Sequence, residues 1–299
     1  METFEHKKWK GNTAGTPWMQ RMLVKWFRYS PLLLPYFCMA WVVPFYMLFN
    51  HSGYSAIYHY FRNRQGYGRL KSFLYVYANH FRFGQIIIDR FAMYAGKRFK
   101  IEIEGQELFD ELDHLENGFI QLSSHVGNYE LAGYSLIPKQ KSFNVLVFAG
   151  ETQQVMKGRL SMFAGKRIQM IPLTKDMSHV FAINNALAEG NIVSIPGDRI
   201  FGSTRSVECD FMGACACFPL GPFSIAAQRN VKMLAVFVMK ESIHKYHIHV
   251  KKLSVPCDTD KRTKAKLLAQ NFAKELELII RRYPAQWFNY YDFWGDERP

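Results

Sequence analysis

Residues 118–134 read GFIQLSSHVGNYELAGY, and this stretch decides the fold. Its first part, FIQLSS, is a short apolar run that is typical of a buried strand. Gly127 and Asn128 then favour a turn, and the following NYELAGYSLI favours a helix. A buried strand followed by a turn and a helix is the repeating unit of parallel α/β sheets. His125 lies on the turn, where such proteins place functional side chains.

The same alternation continues on both sides of this stretch. It predicts strands at FKIEIEG, FIQLSS, FNVLVFAG, IQMIPL, NIVSIPG, VKMLAVFVMK and YHIHVKKL. It predicts helices at FDELDHLENG, NYELAGYSLI, TQQVMKGRLSMFAG, MSHVFAINNALAEG, PFSIAAQRN and TKAKLLAQNFAKELELIIRRY. The predicted fold class is therefore α/β, with a largely parallel mixed sheet flanked by helices in a single domain at 99–299.

Residues 1–98 have a different composition. A basic lead-in precedes residues 30–60, which contain no Lys, Arg, Asp or Glu. That segment is long enough to span a bilayer, but Pro31, Pro35 and Pro44 would break or kink a single helix. We predict a membrane-embedded helical hairpin or an interfacial anchor, with a buried core helix of a soluble protein as the alternative. Residues 61–98 follow as amphipathic helices.

The net charge limits the possible binding partners, and the cysteine content indicates the redox setting. The chain has 299 residues and a formal net charge of +13, which suits an acidic carrier protein, a membrane surface or a nucleic acid. The basic residues are dispersed and form no nucleic-acid reader motif, so we predict no nucleic-acid partner. The five cysteines are odd in number and fit no disulfide framework, which favours reduced thiols in a cytoplasmic setting.

His125 and Glu130 form a candidate general-base pair. Two helical residues five apart point in different directions, so these two can meet only if the histidine precedes the helix. Asn128 is a plausible N-cap that would leave His125 on the loop and Glu130 in the first helical turn. A carboxylate that accepts the Nδ1 proton leaves Nε2 to take a proton from a substrate. The alternative is a structural histidine and a glutamate that stabilises the helix dipole.

Three further sets of residues are candidates for binding. Asp198 and Arg199 follow a strand, where α/β proteins bind ligands, although a charged turn is the simpler reading. Arg205 could contact phosphate or an acidic carrier, or belong to a solvated face. His247 and His249 share one face of a strand, but no third ligand can be named from the sequence, so we predict no metal site.

HVGNYE resembles the His-x4-Asp/Glu motif of the glycerolipid acyltransferase superfamily, and more closely that of its lipid A late (lauroyl/myristoyl) acyltransferase branch. Three other landmarks are similar to that branch and follow in the same order: GNIVSIPGDR at 190–199, the run from 210 to 238, and RRYPAQWFNYYDFW at 281–294. The resemblance covers roughly residues 115–294.

This resemblance implies a membrane enzyme that transfers a fatty acyl chain from an acyl carrier protein thioester, or from acyl-CoA, to a lipid acceptor at the cytoplasmic face of the inner membrane. His125 would be the base, Glu130 its partner, and Asn128, Asp198, Arg199 and Arg205 substrate-binding residues. No cofactor besides the acyl donor is expected. The alternatives are an acyl-CoA-dependent lysophospholipid, aminolipid or polyene-lipid acyltransferase, and a basic lipid-binding protein without catalysis.

Overall fold

A computed structural model describes residues 17–148, 167–173, 178–200, 205–256 and 258–295. Its helices are α1 (Pro17–Tyr29), α2 (Leu33–Phe49), α3 (His51–His59), α4 (Arg69–Tyr94), α5 (Gln106–His114), α6 (Glu130–Ser135), α7 (Ser178–Ala188), α8 (Gly221–Arg229) and α9 (Lys261–Arg282). A π-helical turn (Tyr60–Arg64) follows α3, and a 3-10 turn (Pro284–Gln286) follows α9.

Within the described residues, seven strands form one sheet. They are β1 (Lys100–Glu104), β2 (Phe119–Ser123), β3 (Phe143–Phe148), β4 (Ile168–Leu173), β5 (Ile192–Pro196), β8 (Lys232–Lys240) and β9 (Lys245–Leu253). Their order is β1-β9-β8-β2-β5-β3-β4, and every pair is parallel except β8 with β9. The predicted α/β fold with a mostly parallel mixed sheet is therefore confirmed. All seven predicted strands are present.

Two parts of the prediction differ from this picture or lie outside it. A separate antiparallel hairpin, β6 (Ser206–Phe211) with β7 (Ala214–Pro219), was not predicted from the sequence. Its strands alternate exposed and buried residues around a turn in which Met212 and Gly213 both have positive φ. The helix predicted over TQQVMKGRLSMFAG lies outside the described residues.

The central strands are buried on both faces. Every residue of β2 is buried, as are all residues of β8 except Lys232, because helices cover both sides of the sheet. The aromatic tail completes the core, since Trp287, Phe288 and Phe293 are all at most 8% exposed. These aromatic rings of the tail therefore contribute to the core.

The N-terminal helices cover one side of the α/β domain and leave many apolar side chains exposed. Within the described residues, no single helix is both long and apolar enough to cross a membrane. Leu33–Phe49 and His51–Arg64 meet the criterion only as a pair, and they are bent by 97° relative to each other. The predicted membrane anchor therefore stays a prediction.

A buried ion pair joins these helices to the sheet. Asp89 on α4 and Lys240 at the end of β8 contact each other, and both side chains are fully buried. Asp89 also accepts hydrogen bonds from the hydroxyls of Tyr36 on α2 and Tyr246 on β9. One carboxylate thus links two N-terminal helices, α2 and α4, to two strands of the seven-stranded sheet, β8 and β9.

Candidate active site

His125 and Asp198 meet because they follow neighbouring parallel strands. β2 and β5 pair in register, with Ser123 opposite Pro196 at their carboxyl ends. His125 and Asp198 each lie two residues beyond that pair. The Nδ1 atom of His125 is 2.8 Å from Oδ1 of Asp198, and the backbone N–H of His125 donates to Oδ2 over 2.7 Å. Both carboxylate oxygens therefore hold the histidine in one orientation.

Asp198, and not the predicted Glu130, is bonded to Nδ1 of His125 in this geometry. Nδ1 of His125 is bonded to Asp198, and no hydrogen bond or ion pair joins His125 to Glu130 among the described contacts. Glu130 begins α6, but its Oε2 lies 3.0 Å from Nε of Arg90 on α4 and 3.5 Å from the Tyr94 hydroxyl. Its carboxylate is directed at α4, which fixes the start of α6 against that helix.

Asn128 does not have the predicted capping role. Tyr129 occupies the N-cap position without a side-chain cap, and the Asn128 side chain is fully buried. The backbone N–H of Asn128 instead donates to the Val238 carbonyl over 2.8 Å. Asn128 therefore fixes the turn that carries His125 to β8, and a direct contact with substrate stays a prediction.

The turn from 125 to 128 is held on its other side by the chain after α9. Gly127 donates to the Gln286 carbonyl over 2.9 Å, and Phe288 donates to the His125 carbonyl over 2.9 Å. Gly127 has φ +50, and a Cβ there would lie 1.9 Å from the Val238 carbonyl oxygen, so only glycine fits. The glycine of the HVGNYE motif thus has a local steric cause in this chain.

Gln286 connects the aromatic tail that follows α9 with both the turn at 125–128 and the end of β8. Its side chain accepts from the Lys240 N–H over 2.9 Å and donates to the Lys240 carbonyl over 2.8 Å. Trp287, which is 1% exposed, forms an isolated bridge with Val126. The tail is therefore an extension of the site's scaffold.

Electrostatics favour a neutral histidine beside an ionised carboxylate. Burial lowers the pKa of His125 below its ordinary 6.5, although the charge of Asp198 opposes this shift. Burial alone would raise the pKa of Asp198, but the charge and hydrogen bonds of His125, with the charge of Arg199, bring it below its ordinary value. At neutral pH, Nε2 of His125 is then an available proton acceptor.

The two predicted arginines are placed differently. Arg199 follows Asp198 directly, donates to the Phe288 carbonyl over 2.8 Å and lies over the Tyr291 ring at 5.9 Å. It is thus beside the His125–Asp198 pair. Arg205 is exposed just before β6, and the structure does not tie it to that pair by any described contact. Substrate contacts of either arginine stay predictions.

Asp198 was singled out from the sequence, but for a different role. It was expected on the substrate side, and the structure makes it the partner of His125. Its position after a buried strand was the available signal. That β5 lies next to β2, and not further along the sheet, was not readable from the order of the strands in the chain.

The fold and the site define a class: an α/β protein in which a buried aspartate orients a histidine at the carboxyl ends of two parallel strands, an arrangement that suits a general base. The model of the bacterial lipid A biosynthesis acyltransferase family matches residues 83–294, which is more than half of the chain. The chain belongs to this family and is an acyltransferase. No individual curated protein matches it. The match begins within α4 and includes His125, Glu130 and Asp198.

Proposed function

We propose that this protein transfers a fatty acyl chain from a thioester donor to a hydroxyl or amine of a membrane lipid related to lipid A precursors. The observation that carries the proposal is the His125–Asp198 contact of 2.8 Å inside the segment that matches the family. A buried aspartate on Nδ1 selects the tautomer in which Nε2 lacks a proton. This is the form that a general base requires.

The proposed reaction needs one proton acceptor and no enzyme nucleophile. Nε2 of His125 takes the proton from the acceptor hydroxyl or amine, and the acceptor attacks the thioester carbonyl. The tetrahedral intermediate then expels the donor's thiolate, which recovers the proton from the imidazolium. Asp198 stabilises that imidazolium while it exists, because its carboxylate lies directly against Nδ1.

Acyl carrier protein is the proposed donor, and acyl-CoA is the alternative. Carrier proteins of this type present an acidic surface, and the chain's formal charge is +13. Electrostatic steering would raise the association rate for an acidic protein more than for a small nucleotide thioester. The charge argument favours the carrier protein without excluding acyl-CoA.

A membrane surface is the proposed location of the acceptor. Apolar side chains of α1, α2 and the start of α4 are exposed, among them Trp18, Phe37, Trp41, Phe45, Phe49 and Phe73. Exposed apolar surface of this extent on adjacent helices is typical of a membrane contact. Lys25, Arg28 and Lys71 are exposed on the same helices and suit anionic lipid headgroups. We propose the cytoplasmic face of the inner membrane.

A transfer assay with a labelled acyl group tests the function. The full chain is supplied with vesicles made from bacterial inner-membrane lipids that contain lipid A precursors, and with either acyl carrier protein thioester or acyl-CoA. We expect a labelled lipid product whose mass equals that of the precursor plus one added acyl chain. The initial rate should be higher with the carrier protein at low salt and should fall as salt screens the steering charge.

The same assay separates the alternatives. If product forms equally well from acyl-CoA on lysophospholipid vesicles, the proposed donor and acceptor are wrong and the acyl-CoA-dependent lysophospholipid acyltransferase is the better assignment. Product that persists unchanged when His125 is replaced by alanine would refute the proposed base. Vesicle binding without any product from either donor would favour a lipid-binding protein.

The pH dependence of the reaction follows from the lowered pKa of His125. The base must be unprotonated, and its pKa lies below 6.5. We therefore expect kcat/KM to stay level as pH falls from about 7.5 to about 6.5 and to decline by about tenfold per unit only below the folded-state pKa. The measurement is kcat/KM against pH at constant ionic strength. A decline centred above pH 7 would contradict the assignment.

A further inference from the structure

Two histidines outside the active site lie side by side on β9. His247 and His249 are two residues apart on a strand, so their side chains leave the same face of the sheet. Their rings are stacked, with centroids 4.2 Å apart and planes inclined by 16°. The sequence could show this pair but could not supply a third metal ligand.

The parallel pairing of β1 with β9 supplies a third possible metal ligand. Glu104 lies opposite His249 in the register of the two strands. Oε2 of Glu104 is 2.9 Å from Nδ1 of His249 and 3.8 Å from Nε2 of His247. The ligand atoms of these three residues all lie within 4.8 Å of one another. Glu104 is 143 positions from His247 and 145 from His249 in the chain, so only the sheet brings it to them.

The outer nitrogen of each histidine also has a partner. Nδ1 of His247 is 3.1 Å from Oε1 of Glu241, and Nε2 of His249 is 3.4 Å from the Tyr283 hydroxyl. The Tyr283 hydroxyl in turn donates to Glu241 over 3.3 Å. Metal-binding histidines almost always donate their second N–H to a carboxylate or another oxygen. Both imidazoles are thus oriented with the remaining nitrogen towards Glu104.

We propose that Glu104, His247 and His249 bind one zinc ion at the β1–β9 edge of the sheet. Two imidazole nitrogens and one carboxylate oxygen are a common zinc donor set, with water in the fourth position. Zinc–nitrogen distances of about 2.0–2.1 Å require donors about 3.3 Å apart in a tetrahedral site. The 2.9 Å and 3.8 Å separations lie on either side of that value. Because the two rings are nearly parallel, one imidazole must rotate to bring both nitrogen lone pairs onto a single ion.

A lysine shares the carboxylate without blocking it. The ammonium of Lys251 contacts Oε1 of Glu104, and Oε2 is the oxygen that faces the imidazoles. A bound cation would repel this ammonium, so Lys251 weakens the site but leaves the zinc-facing oxygen in place. This neighbour makes a specific prediction, because its removal should strengthen binding.

A second group of possible ligands is less suitable. Glu102, Glu241 and His247 also lie within reach of one another. Both oxygens of Glu102 are already paired, with Lys100 at 3.1 Å and Lys245 at 2.7 Å. Lys245 also lies 2.8 Å from the second oxygen of Glu241. The ammonium of Lys245 therefore bridges the two carboxylates of that group.

Calorimetric titration of zinc chloride tests the proposal. The full chain in detergent is stripped with chelator, dialysed and titrated with zinc and, separately, with magnesium. We expect saturation at one zinc ion per chain and no comparable heat from magnesium. Glu104→Gln and His247→Ala should each weaken zinc binding about 100-fold or more, and Glu241→Gln by about 10- to 100-fold. Lys251→Met should bind more tightly than the wild type.

His244→Ala is the matched control, because this exposed histidine lies just before β9 and outside the cluster. It should bind zinc as the wild type does. The thermal transition of each variant without metal shows whether it is folded, and the gain expected for Lys251→Met cannot arise from misfolding. The absence of saturable binding, or wild-type affinity in both Glu104→Gln and His247→Ala, would overturn the proposal.

Discussion

Replacing His125 with alanine is expected to lower kcat by a factor of about 1,000 to 10,000, the upper part of what a positioned general base contributes. The expectation rests on the role of Nε2, since no other described imidazole is held by a carboxylate at the carboxyl ends of β2 and β5. Initial rates of labelled lipid formation at saturating donor measure the effect. Near-normal kcat would remove His125 from the reaction.

Asp198→Asn tests whether Asp198 is the carboxylate that supports His125. The amide keeps the size of the side chain but loses its charge, so the neutral tautomer and the imidazolium lose their support. We expect kcat to fall by a factor of about 100 or more. Because Asp198 raises the pKa of His125 against the effect of burial, the acidic limb of the pH profile should also move to lower pH.

Glu130→Gln is the matched comparison. Glu130 is paired with Arg90 at 3.0 Å, so its neutral variant disturbs the contact between α4 and the start of α6. Its activity should fall without a shift of the acidic limb. A shifted limb in Glu130→Gln together with an unshifted limb in Asp198→Asn would restore glutamate as the partner of His125.

Asp89→Asn is expected to lower the free energy of unfolding by about 3–5 kcal/mol, since removal of one member of a buried ion pair leaves the other charge uncompensated. Burial raises the pKa of Asp89 and lowers that of Lys240, so each group depends on the other to remain charged. Denaturant unfolding of the full chain in detergent measures the change.

The double variant Asp89→Asn with Lys240→Met tests the cause. It removes both charges, and we expect it to recover most of the stability lost in the single variant. Lys100→Met is the surface control, because the Lys100–Glu102 pair is exposed and its loss should change stability little. A double variant that is less stable than Asp89→Asn would show that packing, and not charge, determines the effect.

The Asp89 contacts also connect stability with the active site. The next residue, Arg90, pairs with Glu130 at the start of α6. Asp89 and Arg90 therefore hold α4 against β8 and against the start of α6, which directly follows the turn that carries His125. Asp89→Asn is consequently expected to reduce activity in the fraction that remains folded.

Local sequence was enough to identify the strands of the main sheet and the turn that carries His125. Apolar runs such as FIQLSS and NIVSIPG are bounded by glycine or polar residues, and their burial follows from composition alone. The β6–β7 hairpin was not predicted because its strands, SVECDF and ACACFP, contain acidic residues and alanines with little β preference. Asn128 was misread as a cap because its burial depends on β8, which is more than 100 residues away.

The sequence by itself determined the fold class, the family resemblance and the histidine at the end of β2. Only the tertiary structure decided which carboxylate holds that histidine. Glu130 is close in sequence, yet α6 directs it towards Arg90. Asp198 is 73 residues away, and it reaches Nδ1 because β5 pairs with β2. The order of strands in a sheet depends on how helices pack on both faces of the whole domain, and no local pattern contains that information.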